Sequence, residues 1–258
     1  MCLIFLSFND HPQYKLMVVA NRDEFYKRST AAAHYWEDHP NVLGGRDQEA
    51  GGTWMGIHRN GRFSLVTNYR DLSHIKPVAP SRGHLVSDFL TGTEDTQAYM
   101  QRLEDVKDQY NGFNLIAGTP DELLYSSNYR NGVMKIEPGV YGLSNHLFNT
   151  PWPKVKKGLD KMSVLMRESS IDTKRILDAM YDDAVAPDDE LPDTGIGLEK
   201  ERSLSSMFIK MSGYGTRNTT LVTIDRSDKV LFIERVYDPE TFKFSTREFS
   251  FQISNSIA

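Results

Sequence analysis

At 258 residues, 39% hydrophobic and 25% charged, the chain has the composition of an ordinary globular protein with enough length for one large core, so a single domain over 1–258 is expected. A formal net charge of −5, with no Lys/Arg-rich tract interleaved with aromatics, argues against a nucleic-acid partner, and no run of about 18 apolar residues exists to span a membrane. The single cysteine excludes an internal disulfide and agrees with a reducing compartment, which makes the cytoplasm the expected location.

The apolar start Cys2 to Phe8 is too short for a signal-peptide core and has no basic segment before it. Leu3–Phe8 and Lys15–Ala20 read as strands joined through the turn-prone Asn9-Asp10-His11-Pro12, with the polar Asn21-Arg22-Asp23-Glu24 closing the second. A hairpin is antiparallel, so that polar end lies beside Cys2, on or just before a sheet edge. A glycine-rich stretch follows (Gly44-Gly45, Gly51-Gly52), then Asn60-Gly61 marks a second hairpin whose last strand ends at Asn68.

Helical spacing appears over Gly83–Phe89 and Thr93–Val106, and again over Pro153–Arg167 and Asp172–Tyr181. Between these pairs, strands are expected over Phe113–Gly118, Glu122–Ser126 and Gly132–Ile136. The Pro/Asp-rich 184–194 reads as a loop, and Ser206–Met211, Thr219–Asp225, Val230–Val236 and Phe242–Ile253 as closing strands. Strands first and last with helices between indicate an α+β protein with mainly antiparallel sheets.

Cys2 is the chemically distinctive residue. Loss of Met1 would leave one residue with both a thiol, of ordinary pKa about 8.5, and a free α-amine, of ordinary pKa about 8, a nucleophile with its own base. Arg22 would favour the thiolate by charge, Asp23 would hold or polarise the amine, and Asn68 and Asn145 can donate N–H groups to a developing oxyanion. Each residue also has a plainer reading. Cys2 can simply begin a buried strand, Arg22 and Asp23 can form a solvated ion pair, and both asparagines suit turns. The seven histidines show no metal-ligand spacing, so no metal is expected.

Four segments in order, a Met-Cys start, Asn21-Arg22-Asp23-Glu24, Gly51-Gly52-Thr53-Trp54-Met55-Gly56 and Thr67-Asn68-Tyr69-Arg70, resemble the NRDE family, also called the transport and Golgi organization 2 family. That family is similar in turn to N-terminal-nucleophile hydrolases of the penicillin V acylase and bile salt hydrolase group. The resemblance implies a four-layer αββα sandwich in which Cys2 attacks an amide or thioester carbonyl. It implies that Arg22 and Asp23 assist, with Glu24 as the alternative carboxylate, that Asn68 and Asn145 serve the oxyanion, and that Arg217 lies near the nucleophile. Asn21, Glu24, Trp54 and Tyr69 are the substrate-binding residues expected beside them. No cofactor is required for such chemistry. The resemblance also raises a second reading, a carrier of haem, as noncovalent cargo, or of a lipid-like or acyl-CoA ligand in the same pocket.

Overall fold

Every residue of β1 (Cys2–Phe8) is buried, as a strand covered on both faces must be. The computed structural model describes residues 2–254. Asn9 takes a left-handed backbone (φ 48°) and its N–H donates to the Lys15 carbonyl (2.8 Å), closing the turn into β2 (Tyr14–Phe25). β2 does not stop at Ala20. It continues through the polar 21–24 segment because β12 (Tyr214–Asp225) pairs alongside it, with Asn21 opposite Thr219, Arg22 opposite Asn218 and Asp23 opposite Thr216.

Two antiparallel sheets result. The first has the order β10-β1-β2-β12-β13-β14, where β10 is Gly139–Leu143, β13 Lys229–Tyr237 and β14 Phe244–Gln252, and the two-residue β11 (Lys210–Met211) pairs with β12. The second runs in chain order through β3 (Thr30–Tyr35), β4 (Val42–Asp47), β5 (Met55–His58), β6 (Phe63–Asn68), β7 (Phe113–Thr119), β8 (Glu122–Ser127) and β9 (Met134–Lys135). Gly61, at φ 90°, makes the turn between β5 and β6 that Asn60-Gly61 indicated.

Side-chain alternation sorts the core into three apolar layers. Ile4, Leu6, Val18, Val222 and Phe232 of the first sheet meet Leu43, Ile57, Phe63, Leu65 and Ile116 of the second. The outer face of the second sheet packs on α1 (Arg82–Thr91) and α2 (Thr96–Val106) through Val86, Phe89 and Met100. The outer face of the first, Leu3, Phe5, Val19 and Leu221, packs on α3 (Pro153–Leu165) and α4 (Thr173–Ala179). This is the αββα sandwich that the resemblance implied.

Several elements differ from the sequence reading. β1 lies inside its sheet, between β10 and β2, although its pairing with β10 starts only at Ile4 and leaves Cys2 flanked by β2 alone. Strands β3, β4 and β10 were not expected. β4 carries Gly44-Gly45, poor strand formers, because a Cβ on Gly45 would stand 2.1 Å from the Trp54 ring. Only Lys210–Met211 of the expected strand over 206–211 pairs. Upstream, the Phe208 N–H donates to the Asp182 carbonyl and the Ser206 hydroxyl to the Phe208 carbonyl. A short helix, α5 (Leu198–Ser203), follows the loop and was also unforeseen.

Candidate active site around Cys2

The two-residue period that sends Ile4, Leu6 and Phe8 into the space between the sheets sends Cys2 there too, at the open end of that space. Its register partner across the hairpin is Arg22. A cleft of about 510 Å³ opens at this end. Cys2, Arg22 and Glu24 line it from the first sheet, Trp54 and Asn68 from the second, and Arg82 from the start of α1. Cys2 is 9% exposed and so belongs to the buried part of the lining.

Arg22 is 5% exposed and lies over the Trp54 ring, 4.1 Å from its centre, with its Nη2 3.7 Å from Glu24 Oε2. It is therefore no solvated ion pair. Its Nη1 has no hydrogen-bond partner among the described residues. Burial pushes the Cys2 thiol above its ordinary value, while the Arg22 charge and a hydrogen bond from the Asp23 backbone N–H pull the other way. The sign expected for Arg22 is present, but burial outweighs it.

Asp23 is 1% exposed. The Thr216 hydroxyl donates to its Oδ1 (2.7 Å), and the Tyr214 hydroxyl to its backbone carbonyl (3.2 Å). Burial raises its pKa, with Lys154 the largest opposing influence. Lys154, in the first turn of α3, is itself buried and donates to the Leu204 carbonyl (3.0 Å). Burial pushes it down to about 8, against the attraction of Asp23. Sequence reading missed this lysine. The signal was available, since Lys154, Gly158 and Met162 repeat at i, i+4, i+8 on the buried stripe of the helix.

The two asparagines take different positions. Asn68 ends β6 and lines the cleft. Asn145 is fully buried and does not line it. Its Nδ2 donates to the Asn68 carbonyl (3.0 Å), and its own carbonyl accepts from the Arg70 N–H (2.7 Å). The neighbouring Ser144 hydroxyl sits 3.2 Å from both the Cys2 carbonyl oxygen and Asn145 Oδ1. The 144–145 corner thus ties Cys2 to Asn68 across the two sheets.

Arg217 is not among the residues lining the cleft. It occupies the β12 bulge, and its Nη1 donates to the Phe25 (3.0 Å) and Arg28 (2.8 Å) carbonyls, pinning the chain after β2. The arginine facing the cleft from across it is Arg82, which donates to the Gly112 carbonyl (2.9 Å) and feels the charges of Glu24 and Cys2. A helix-start arginine separated from Cys2 by about eighty residues carried no local signal. Of the residues expected to bind substrate, Glu24 and Trp54 line the cleft. Asn21 turns toward the α3/α4 layer, where its Nδ2 donates to the Met180 (3.0 Å) and Met207 (2.8 Å) carbonyls and its Oδ1 accepts from the Thr219 hydroxyl (2.6 Å). Tyr69 stacks on Tyr129 in a separate pocket. Among the described residues no group of three or more His, Cys, Asp or Glu is arranged to hold a metal, and no helix is long and apolar enough to cross a membrane.

The profile of the family described as "Transport and Golgi organisation 2" matches residues 1–239. The chain is 33% identical over 277 residues to the Transport and Golgi organization 2 homolog of Mus musculus, covering 99% of this chain and 100% of that one. It is 34% identical over 277 residues to the Homo sapiens homolog, at 99% and 100% coverage, and 31% identical over 262 residues to the Drosophila melanogaster protein, at 91% of each. Among solved structures it is similar to a Caenorhabditis elegans N-acylethanolamine-hydrolyzing acid amidase ortholog (TM-score 0.47, 9% identity, 85% and 92% coverage). It is also similar to the C2A mutant of the conjugated bile acid hydrolase of Clostridium perfringens (TM-score 0.49, 8% identity, 99% and 98% coverage).

Proposed function

The chain belongs to the Transport and Golgi organisation 2 family, and from that premise and the cleft at Cys2 we propose that it is an N-terminal-nucleophile cysteine enzyme that hydrolyses or transfers the acyl group of an amide or thioester. The observation that carries the reading is that Cys2, 9% exposed, lines a cleft of about 510 Å³, paired in register with a buried arginine, with Asn68 in the lining from the opposite sheet.

In this reading Met1 is removed and the freed α-amine of Cys2 takes the thiol proton. The sulfur forms a bond to the substrate carbonyl carbon, and the carbonyl π pair moves onto oxygen. Asn68 donates to that oxyanion while Asn145, bound to the Asn68 carbonyl, fixes its position. The intermediate collapses, and the leaving amine or thiol departs with the proton held by the α-amine. Water, or another acceptor, then gives a proton to the α-amine and attacks the thioester carbonyl; the C–S bond breaks, the acyl group leaves on the acceptor, and the Cys2 sulfur takes the proton back. Because burial raises the thiol pKa, the thiolate needs a base beside the sulfur, the part this reading gives to the freed α-amine. Arg22 stabilises the transient thiolate and Asp23 positions the ammonium.

The alternative carrier reading gains less. Arg22, Glu24, Arg28, Asp47 and Arg82 make the cleft heavily charged, which disfavours a wholly apolar cargo seated on Cys2. The test is burst kinetics with a chromogenic acyl thioester on the Met1-processed chain. A burst equal to one leaving group per protein, absent in Cys2→Ser, supports the reading. Equal slow release by both proteins contradicts it.

A further inference from the structure

Behind the cleft, on the outer face of the first sheet, the fold buries four charged side chains. The strand period that turns Arg22 toward the cleft turns Asp23 the other way with Asn21, and the Asp23 carboxyl meets the Thr216 hydroxyl, which in turn accepts from the Ile209 N–H (2.9 Å). The first turn of α3 packs on that face and brings Lys154, 3% exposed. Arg70 and Glu201 complete the cluster and line one small cavity with Lys154. Arg70 Nη1 donates to Glu201 Oε2 (2.6 Å), whose other oxygen accepts from the Thr194 N–H (2.8 Å), so these two charges neutralise each other. Lys154 is left with the Leu204 carbonyl (3.0 Å) and, among the described residues, no ion pair. The carboxylate that acts most strongly on its ammonium is Asp23, ahead of Glu201, with the Arg70 charge and the Cys2 thiol the other groups facing it. In return, Lys154 does more than any other group to hold Asp23 in its charged form, ahead of the Thr216 hydroxyl and Arg22.

We propose that Lys154 is a positioning residue for the reaction at Cys2, its buried ammonium being the counter-charge that keeps Asp23 a carboxylate and so able to hold the α-ammonium of Cys2. Two opposite charges buried on one face persist only if each offsets the other's lost hydration. A carboxyl at 1% exposure with no cation nearby takes up a proton instead, and a neutral acid offers the α-ammonium no opposite charge. The arginines do not supply that cation. Arg70 is committed to Glu201, and Arg22 lies on the other face of β2, over the Trp54 ring and beside Glu24. This role rests on the acyl chemistry assigned above to Cys2, whereas the pairing of Lys154 with Asp23 does not.

Side-chain carbon NMR of the full chain, labelled at aspartate and lysine, reads both partners directly, with Asp23→Asn and Lys154→Met assigning their signals. Lys154→Met is expected to move the Asp23 titration to higher pH, Lys154→Arg to leave it near the parent's, and Asp23→Asn to move the Lys154 titration down from about 8. An Asp23 titration unmoved in folded Lys154→Met, or, should that variant not fold, a Lys154 titration unmoved in Asp23→Asn, would overturn the pairing. Acyl-thioester turnover by the Met1-processed chain then tests the role in the reaction. The acid limb of its pH profile is expected to move up with the Asp23 titration in Lys154→Met and to return in Lys154→Arg. Lys154→Met added to Asp23→Asn is expected to change the rate by less than roughly twofold. Equal losses from Lys154→Met with and without the Asp23 carboxyl would make the lysine a packing residue and overturn the role. A parent without turnover but with coupled titrations would contradict the acyl chemistry at Cys2 and leave the charge pairing supported.

Discussion

Cys2 and Arg22 are direct register partners across the first hairpin, and the arginine is held in place over the Trp54 ring, 4.1 Å from its centre. Burial raises the thiol pKa and the Arg22 charge lowers it, so removing the charge while keeping the volume unmasks burial. Arg22→Met is expected to move the midpoint of Cys2 alkylation by iodoacetamide upward. An unchanged midpoint in a folded variant would show that the guanidinium does not act on the sulfur.

Asn68 and Asn145 are expected to separate by kinetics. Asn68→Ala should lower acyl-transfer kcat by roughly a hundredfold or more, the usual loss of one oxyanion donor, with little change in melting temperature. Asn145→Ala removes a buried donor to the Asn68 carbonyl, so it should both destabilise the fold, by about 1–3 kcal/mol, and lower kcat indirectly. Equal kinetic losses at unchanged stability would argue that Asn145 itself contacts substrate.

Asn21 was expected on the substrate side and instead joins β2 to the α3/α4 layer. Asn21→Leu would take this donor from the Met180 and Met207 carbonyls and leave the Thr219 hydroxyl with the Tyr237 hydroxyl. Urea unfolding is expected to show a loss of about 2–4 kcal/mol. A variant as stable as the parent would contradict this structural role.

Glu234 provides a pH test of stability. It lies buried on β13, accepts from the Ala33 N–H of β3 (2.6 Å), and burial raises its pKa from 4.5 to about 7. The folded state therefore binds a proton that the unfolded chain has lost. The contribution is fully present below pH 4.5 and is lost as pH rises through about 7. Across that window the parent is expected to lose about 3 kcal/mol relative to Glu234→Gln, whose amide oxygen can still accept from Ala33. Parallel stability curves for the two proteins would contradict the assignment.

How far the sequence could be read follows from the range of each interaction. The Cys2–Arg22 pairing was legible because a short turn brings the two strands together, and the β5–β6 hairpin was legible through Asn60-Gly61. The placement of Asn68 in the cleft followed from the family resemblance. The facing of side chains was harder. Asn21 and Arg22 are neighbours, yet the strand period sends one toward a helix layer and the other into the cleft. Lys154 and Arg82 reach the site from helices whose position depends on packing of the whole sandwich. Arg217 was placed near the nucleophile by resemblance, but the β12 bulge turns its side chain to the Phe25 and Arg28 carbonyls.

Intact-protein and fragment mass spectrometry on the Met1-processed chain, after a short incubation with an acyl thioester, tests the central claim most directly. The account predicts a single added acyl group located on residue 2, absent in Cys2→Ser and cleared on standing in water. An unmodified Cys2 in a folded, processed chain, or an acyl group found on another side chain, would contradict it.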